Sequence, residues 1–168
     1  MDSHWISKAP RQILGLICLA CIAMLGFGMY LQYSVGLEPC PMCIVQRYAL
    51  ILVAVFTGLG ALRGNAGWWK TFGFLALLSA GFGAFVAARQ SFLQWYPPEV
   101  ATCGRDFYGM IEGFPLQRAI PMIFKGGGDC SAVDWTFLGG TIANWSFLCF
   151  VAIALVALAL AVRLIKRR

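Results

Sequence analysis

Apolar residues fall in four long blocks along the chain, separated by shorter polar stretches. The blocks run roughly over Ile13–Tyr33, Tyr48–Leu62, Thr71–Ala88 and Trp145–Val162. A helix crossing a hydrocarbon layer of ~30 Å needs ~20 residues, and it satisfies its own backbone hydrogen bonds, as lipid demands. The pattern predicts an all-α integral membrane protein. It is a four-transmembrane-helix bundle with helices near 13–33, 46–63, 71–90 and 144–163. Two loops, near 34–45 and 91–143, share one side of the membrane. The first block is too long for the apolar stretch of a signal peptide and no small-residue cleavage site follows it, so it is expected to remain as an anchor.

Composition strengthens this picture. The 168 residues suffice for one domain, and 60 % are apolar against 12 % charged. A soluble domain has roughly 45–50 % apolar and about 25 % charged residues. Charge then gives orientation. Lys8, Arg11, Arg63, Lys70, Arg163, Lys166, Arg167 and Arg168 fall on one side with Asp2. Arg47, Arg89, Arg105, Arg118 and Lys125 fall on the other, with one more acid than base. The positive-inside rule predicts both termini in the cytoplasm and the two loops outside, which in a bacterium is the oxidising periplasm. The net charge of +6 needs no nucleic-acid partner to explain it. Trp68, Trp69, Trp95 with Tyr96, and Trp145 fall where aromatic rings settle at membrane interfaces.

The cysteines sort by depth. Cys18, Cys21 and Cys149 lie within apolar blocks, where a thiol behaves as a small apolar residue. Cys40, Cys43, Cys103 and Cys130 all fall on the outer side, where disulfides persist. Four such cysteines admit three pairings. Adjacency favours Cys40 with Cys43, which leaves Cys103 with Cys130.

Three chemistries use closely spaced cysteines. Zinc needs four ligands, and the two C-x-x-C pairs are about half a membrane apart. The single histidine, His4, is on the opposite side, so no metal is expected. A structural disulfide between Cys40 and Cys43 closes a tiny loop and gains little from chain entropy. Redox chemistry suits the pair best. A thiolate is the reactive form, favoured by a nearby cation or a helix N-terminus. Cys43 stands at the start of the second helix, with Arg47 four residues on and on the same face. The guanidinium keeps its charge and suits an electron acceptor that becomes negative. No glycine fingerprint for a nucleotide is present, and a lipid-soluble quinone can reach this rim directly.

The outer loop 91–143 carries "QWYPPEVATCGRDF" and "FKGGGDCSAVDW". Pro97-Pro98 stops the preceding helix, and Gly126–Gly128 give Cys130 a flexible approach. Such a bridge serves either as a staple or as an exchangeable disulfide. Between the cysteines, Leu116, Ile120 and Ile123 share one helical face, which predicts a short helix on the membrane surface, interrupted at Pro121.

With these residues placed, the chain resembles the DsbB family of periplasmic thiol-oxidising membrane proteins. The likeness covers nearly the whole chain: four helices, Cys40-x-x-Cys43, Arg47, "YPPEVATC" and "GGGDC" with Trp135. It implies that Cys40, Cys43, Cys103 and Cys130 are catalytic. It implies that Cys103–Cys130 takes electrons from a reduced periplasmic thioredoxin-fold partner, a DsbA-like protein, through a mixed disulfide at Cys103. Cys40–Cys43 then reoxidises the loop pair, and Cys43 passes electrons to ubiquinone or menaquinone near Arg47. Some family members carry a histidine near the outer end of the third helix at the quinone site. This chain has Gln90 there, beside Arg89, which donates a hydrogen bond but holds no proton at neutral pH. The likeness places the chain in the bacterial inner membrane. Two other readings share the architecture: a thiol-fed quinone or epoxide reductase, and a non-enzymatic scaffold with structural disulfides.

Overall fold

The computed structural model describes residues 3–97, 128–131, 133 and 135–166. Cys103 and the expected surface helix over 116–123 lie outside the described residues. Four helices are long and apolar enough to cross a membrane. They are α1 (Ser3–Ser34), α2 (Pro41–Leu62), α3 (Ala66–Trp95) and α5 (Ile142–Lys166). One helical turn, α4 (Gly128–Ser131), and a two-stranded hairpin, β1 (Thr136–Phe137) with β2 (Gly140–Thr141), precede α5.

The helices begin and end where local chemistry dictates. Helix α2 starts at Pro41, ahead of its apolar block, because Cys40 caps it. The Cys40 sulfur accepts the Cys43 backbone N–H, and proline suits the first helical position, where no N–H is needed. Asn65 caps α3 by accepting the Gly67 N–H. Thr141 accepts the Asn144 N–H at the start of α5. The hairpin turn at Leu138-Gly139 has φ of 50° and 78°, and Leu138 is the one positive-φ residue that is not glycine among the described residues. The hydropathy pattern predicts only loop here, because two residues per strand carry no period.

Helix α3 is the central element. It packs against both α2 and α5, while α1 packs mainly on α2. Its buried face is a run of small residues, Gly73, Ala76, Ala80, Gly83 and Ala87. Small residues let helix backbones approach closely where lipid offers no hydrophobic drive for association. The ring of Phe150 lies directly over Gly83, in the space a Cβ would fill. Phe150 and Ile153 of α5 meet Val53 and Ala54 of α2 and Cys21 of α1 in the main core.

Trp69 differs from the interfacial role its sequence position suggested. It is buried with Leu14 and Leu160, whereas Trp68 is the more exposed and donates to the Leu59 carbonyl at 2.7 Å. Helix α1 and α5 scarcely touch, so a cleft is left between them.

Candidate functional site

Cys40 and Cys43 sit on one helical start. Cys40 is the cap of α2 and Cys43 lies in its first turn, with their sulfurs 2.8 Å apart. Both are thiols, as is Cys130. The turn α4 rests on α3 and α2, and this brings Cys130 against Cys40 although ninety positions of sequence separate them. Cys130 is 1 % exposed and shares a small core with Met42, Val86 and Leu93. Cys40 is therefore the middle of a row of three sulfurs. Hydrogen bonding to Cys130, then to Cys43, together with burial, pushes the Cys40 thiol well above the ordinary thiol range. Cys40 is the member of the row that keeps its proton.

Gln90 of α3 faces the same sulfurs. Its Nε2 donates to Cys43 Sγ at 3.2 Å and to Cys40 Sγ at 3.3 Å. Its Oε1 accepts from Gln46 Nε2 at 2.6 Å. Both glutamines are buried. Gln90 was singled out in the sequence as a cofactor-binding residue, and the structure puts it in direct contact with the thiols. Gln46 was passed over. The one signal for it was an amide in an apolar run, three residues after Cys43.

Arg47 follows Gln46 on α2 and lines the same cavity as Cys43. Its guanidinium reaches across to α1. It donates to Gln32 Oε1 at 2.5 Å and to the Gly28 carbonyl at 3.3 Å. So Arg47 ties α1 to α2, and the side chain bonded directly to Cys43 is Gln90. Arg89 holds its guanidinium over the Phe92 ring, 5.7 Å from the centroid, and does not line the cavity.

The cavity occupies the cleft between α1 and α5 and measures about 810 Å³. That lies within the ~300–1,000 Å³ of small-molecule sites. Its polar lining includes Cys40, Cys43, Arg47 and Gln90 together with the acid Glu38, and its apolar lining includes Met24, Leu31, Leu50 and Phe150. An aromatic run crosses from α1 to α5. Phe27 meets Trp135 edge-on at 6.1 Å, Trp135 stacks on Phe137 at 6.0 Å, and Phe137 meets Trp145 at 6.2 Å. Trp145 Nε1 donates to the Phe137 carbonyl at 3.0 Å, and its ring lies over Gly140, where a Cβ would come within 2.9 Å of that nitrogen. Thr141 donates to Gln94 at 2.7 Å and fastens the hairpin to α3. Cys149, read from sequence as simple packing, also lines the cavity.

Thiols in contact with one another, a spanning four-helix frame and an apolar cavity at the thiols fit a multi-pass membrane protein of the thiol–disulfide class. The model of the DsbB family, disulfide bond formation protein DsbB, matches residues 10–160. Disulfide bond formation protein B of Paracidovorax citrulli (strain AAC00-1) is 76 % identical over 163 residues, covering 97 % of this chain and 93 % of that protein. Its counterpart in Acidovorax sp. (strain JS42) is 72 % identical over 160 residues, covering 95 % and 92 %. In Azoarcus sp. (strain BH72) the figure is 55 % over 139 residues, covering 82 % and 84 %. The chain belongs to the DsbB family, whose members are disulfide bond formation proteins.

Proposed function

We propose that this chain is an inner-membrane dithiol oxidase. It reoxidises a periplasmic thioredoxin-fold protein and passes the electrons through two cysteine pairs to a membrane quinone. One observation carries the reading: the Cys40 sulfur touches Cys130 on one side and Cys43 on the other, and Cys43 borders an apolar cavity between two spanning helices.

The order of exchange follows from that row. A thiolate of the soluble partner attacks the Cys103–Cys130 disulfide at Cys103, forming a mixed disulfide and releasing Cys130. Cys130, packed against Cys40, attacks the Cys40–Cys43 disulfide at Cys40 and releases Cys43 as the leaving thiolate. The partner's second thiolate then resolves the mixed disulfide, and Cys103 in turn releases Cys130 from Cys40. Each exchange breaks one disulfide and forms one, so the two electrons end on the reduced Cys40–Cys43 pair. Cys40 holds its proton, which leaves Cys43 to carry the charge beside the cavity.

The cavity fits a quinone ring. Its walls are apolar and aromatic, with Arg47 and Gln90 at the thiol end. When bound, a quinone supplies an acceptor for two electrons and two protons. Arg47 holds negative charge at that end, and its bonds to Gly28 and Gln32 fix where the charge stands. Both termini lie in the cytoplasm in this reading, and the cysteines face the periplasm.

The test uses purified chain, a reduced thioredoxin-fold dithiol oxidase and a soluble quinone. Quinone reduction, followed by ultraviolet absorbance, is expected to match partner oxidation one for one. Cys103→Ala is expected to abolish partner oxidation and leave the reduced Cys40–Cys43 pair reactive toward quinone. Normal partner oxidation by Cys103→Ala overturns the relay.

A further inference from the structure

The amide of Gln90 fits its site equally well in two orientations, because O and N differ little in size. Their chemistry is opposite. A carbonyl oxygen facing the sulfurs repels a thiolate, whereas an NH2 group stabilises it. Packing does not choose between them. The choice rests on the neighbour 2.6 Å from Oε1, which is Gln46 Nε2. At that separation two oxygens, or two NH2 groups, repel, so a donating Gln46 requires the carbonyl end of Gln90 opposite it, an oxygen that also lies 3.7 Å from Cys43 Sγ. With Gln46 donating, both N–H groups of Gln90 are left for Cys43 and Cys40, at 3.2 and 3.3 Å.

We propose that Gln46 is a positioning residue: it locks the Gln90 amide with its nitrogen toward the sulfurs, and so makes Gln90 a fixed, uncharged hydrogen-bond donor to Cys43. The assignment rests on the proposed redox role of Cys43 but concerns a different question, which end of an amide faces the sulfur and what holds it there. Gln90 neither gains nor loses a proton in the working pH range, so the donor is present in every redox step. The pair does what a cation does for a thiolate, without a second titrating group beside it. Arg47, turned to α1, is left for the cavity.

The experiment measures the pH profile of Cys43 alkylation in the reduced full-length chain, in detergent, with neither quinone nor partner present. Modification of each cysteine is resolved by mass spectrometry. Gln46→Glu keeps the shape but gives an ionised side chain that only accepts, which draws the Gln90 nitrogen away from the sulfurs. Alkylation of Cys43 at pH 7 is expected to fall about tenfold, with the midpoint moving up by about one pH unit. Gln46→Met, neutral and of similar volume, is expected to shift the midpoint in the same direction by less. In a Gln90→Leu background, where the donor is already gone, neither change at Gln46 is expected to move the midpoint further. Equal slowing by Gln46→Glu in that background shows its charge acting directly and overturns the proposal. An unchanged midpoint in Gln46→Met overturns it too. Helical circular dichroism on each variant shows that it folds. Because no quinone is present, the result stands apart from the oxidase reading: a chain that shows the shifts but never reduces quinone sinks the reading and leaves the amide pair intact.

Discussion

The chain has two C-x-x-C pairs, and they share little beyond spacing. Cys18 and Cys21 stand in the middle of α1, where every backbone N–H is already bonded within the helix. Cys21 is fully buried in the main core, and Cys18 packs toward Gly58 of α2. Cys40 and Cys43 stand where a helix begins. One sulfur is itself the cap and accepts the Cys43 N–H, and the other stands in the first turn, at the positive end of the helix. A third sulfur, two glutamines and a cavity converge on this second pair. The comparison teaches that the motif is two residues and a location. The helix terminus provides the charge and the access that spacing alone does not.

The sharpest way to break this contrast is to remove each pair in turn. Cys43→Ser is expected to lower quinone reduction by at least about a thousandfold, since no other group takes over a covalent redox role. A Cys18→Ala, Cys21→Ala double variant is expected to keep turnover within about twofold, at some cost in thermal stability. Equal losses from both would erase the distinction.

A smaller effect is expected at Arg47. Arg47→Met removes the charge and the bonds to Gly28 and Gln32. If the proposed quinone accepts one charged hydrogen bond from Arg47, its loss, about 1.5–3 kcal/mol, predicts a fall in kcat/KM for quinone of about ten- to a hundredfold. Steady-state kinetics over a range of quinone concentrations checks it. The fall is expected to lie mainly in KM if the guanidinium holds the ground state, and in kcat if it meets only the developing charge.

The row of sulfurs predicts a pH effect of known sign. The Cys40 pKa is raised, first by its hydrogen bond to Cys130, so Cys40 is protonated at neutral pH and alkylates slowly. Cys130→Ala removes the largest cause and is expected to bring the Cys40 midpoint down toward the ordinary thiol value. The midpoint, not the plateau rate, is the measure, because the plateau also responds to exposure.

The smallest change in chemistry is expected at the frame. Gly83→Ala places a Cβ inside the Phe150 ring and is expected to cost about 1–3 kcal/mol of stability. Thermal unfolding in detergent reads that loss, while the Cys43 alkylation profile is expected to stay where it is.

Much of this was legible in the sequence, and the reasons for the rest are physical. Four apolar blocks gave four spanning helices because hydropathy is a local property. The start of α2 at Pro41 was not visible to hydropathy, since a proline and a capping cysteine add no apolar signal. The hairpin at 136–141 has only two residues per strand, too few for a period. Cys40 and Cys43 were legible because spacing and a following arginine are local. Their contact with Cys130 is not, because it depends on how α4 settles on α2 and α3. The spacing puts Arg47 one helical turn past Cys43, whereas its bond to Gln32 depends on how α1 packs on α2. Gln46 looked like an interruption of an apolar run, and only its geometry opposite Gln90 gives it a role.

The most direct measurement takes the reduced chain alone, without partner, and mixes it anaerobically with excess quinone. The account predicts one quinone reduced for each disulfide formed among Cys40, Cys43, Cys103 and Cys130: two per intact chain, one in Cys103→Ala and none in Cys43→Ser. Quinone reduction that persists without the Cys43 sulfur, or no reduction by the intact chain, would contradict it.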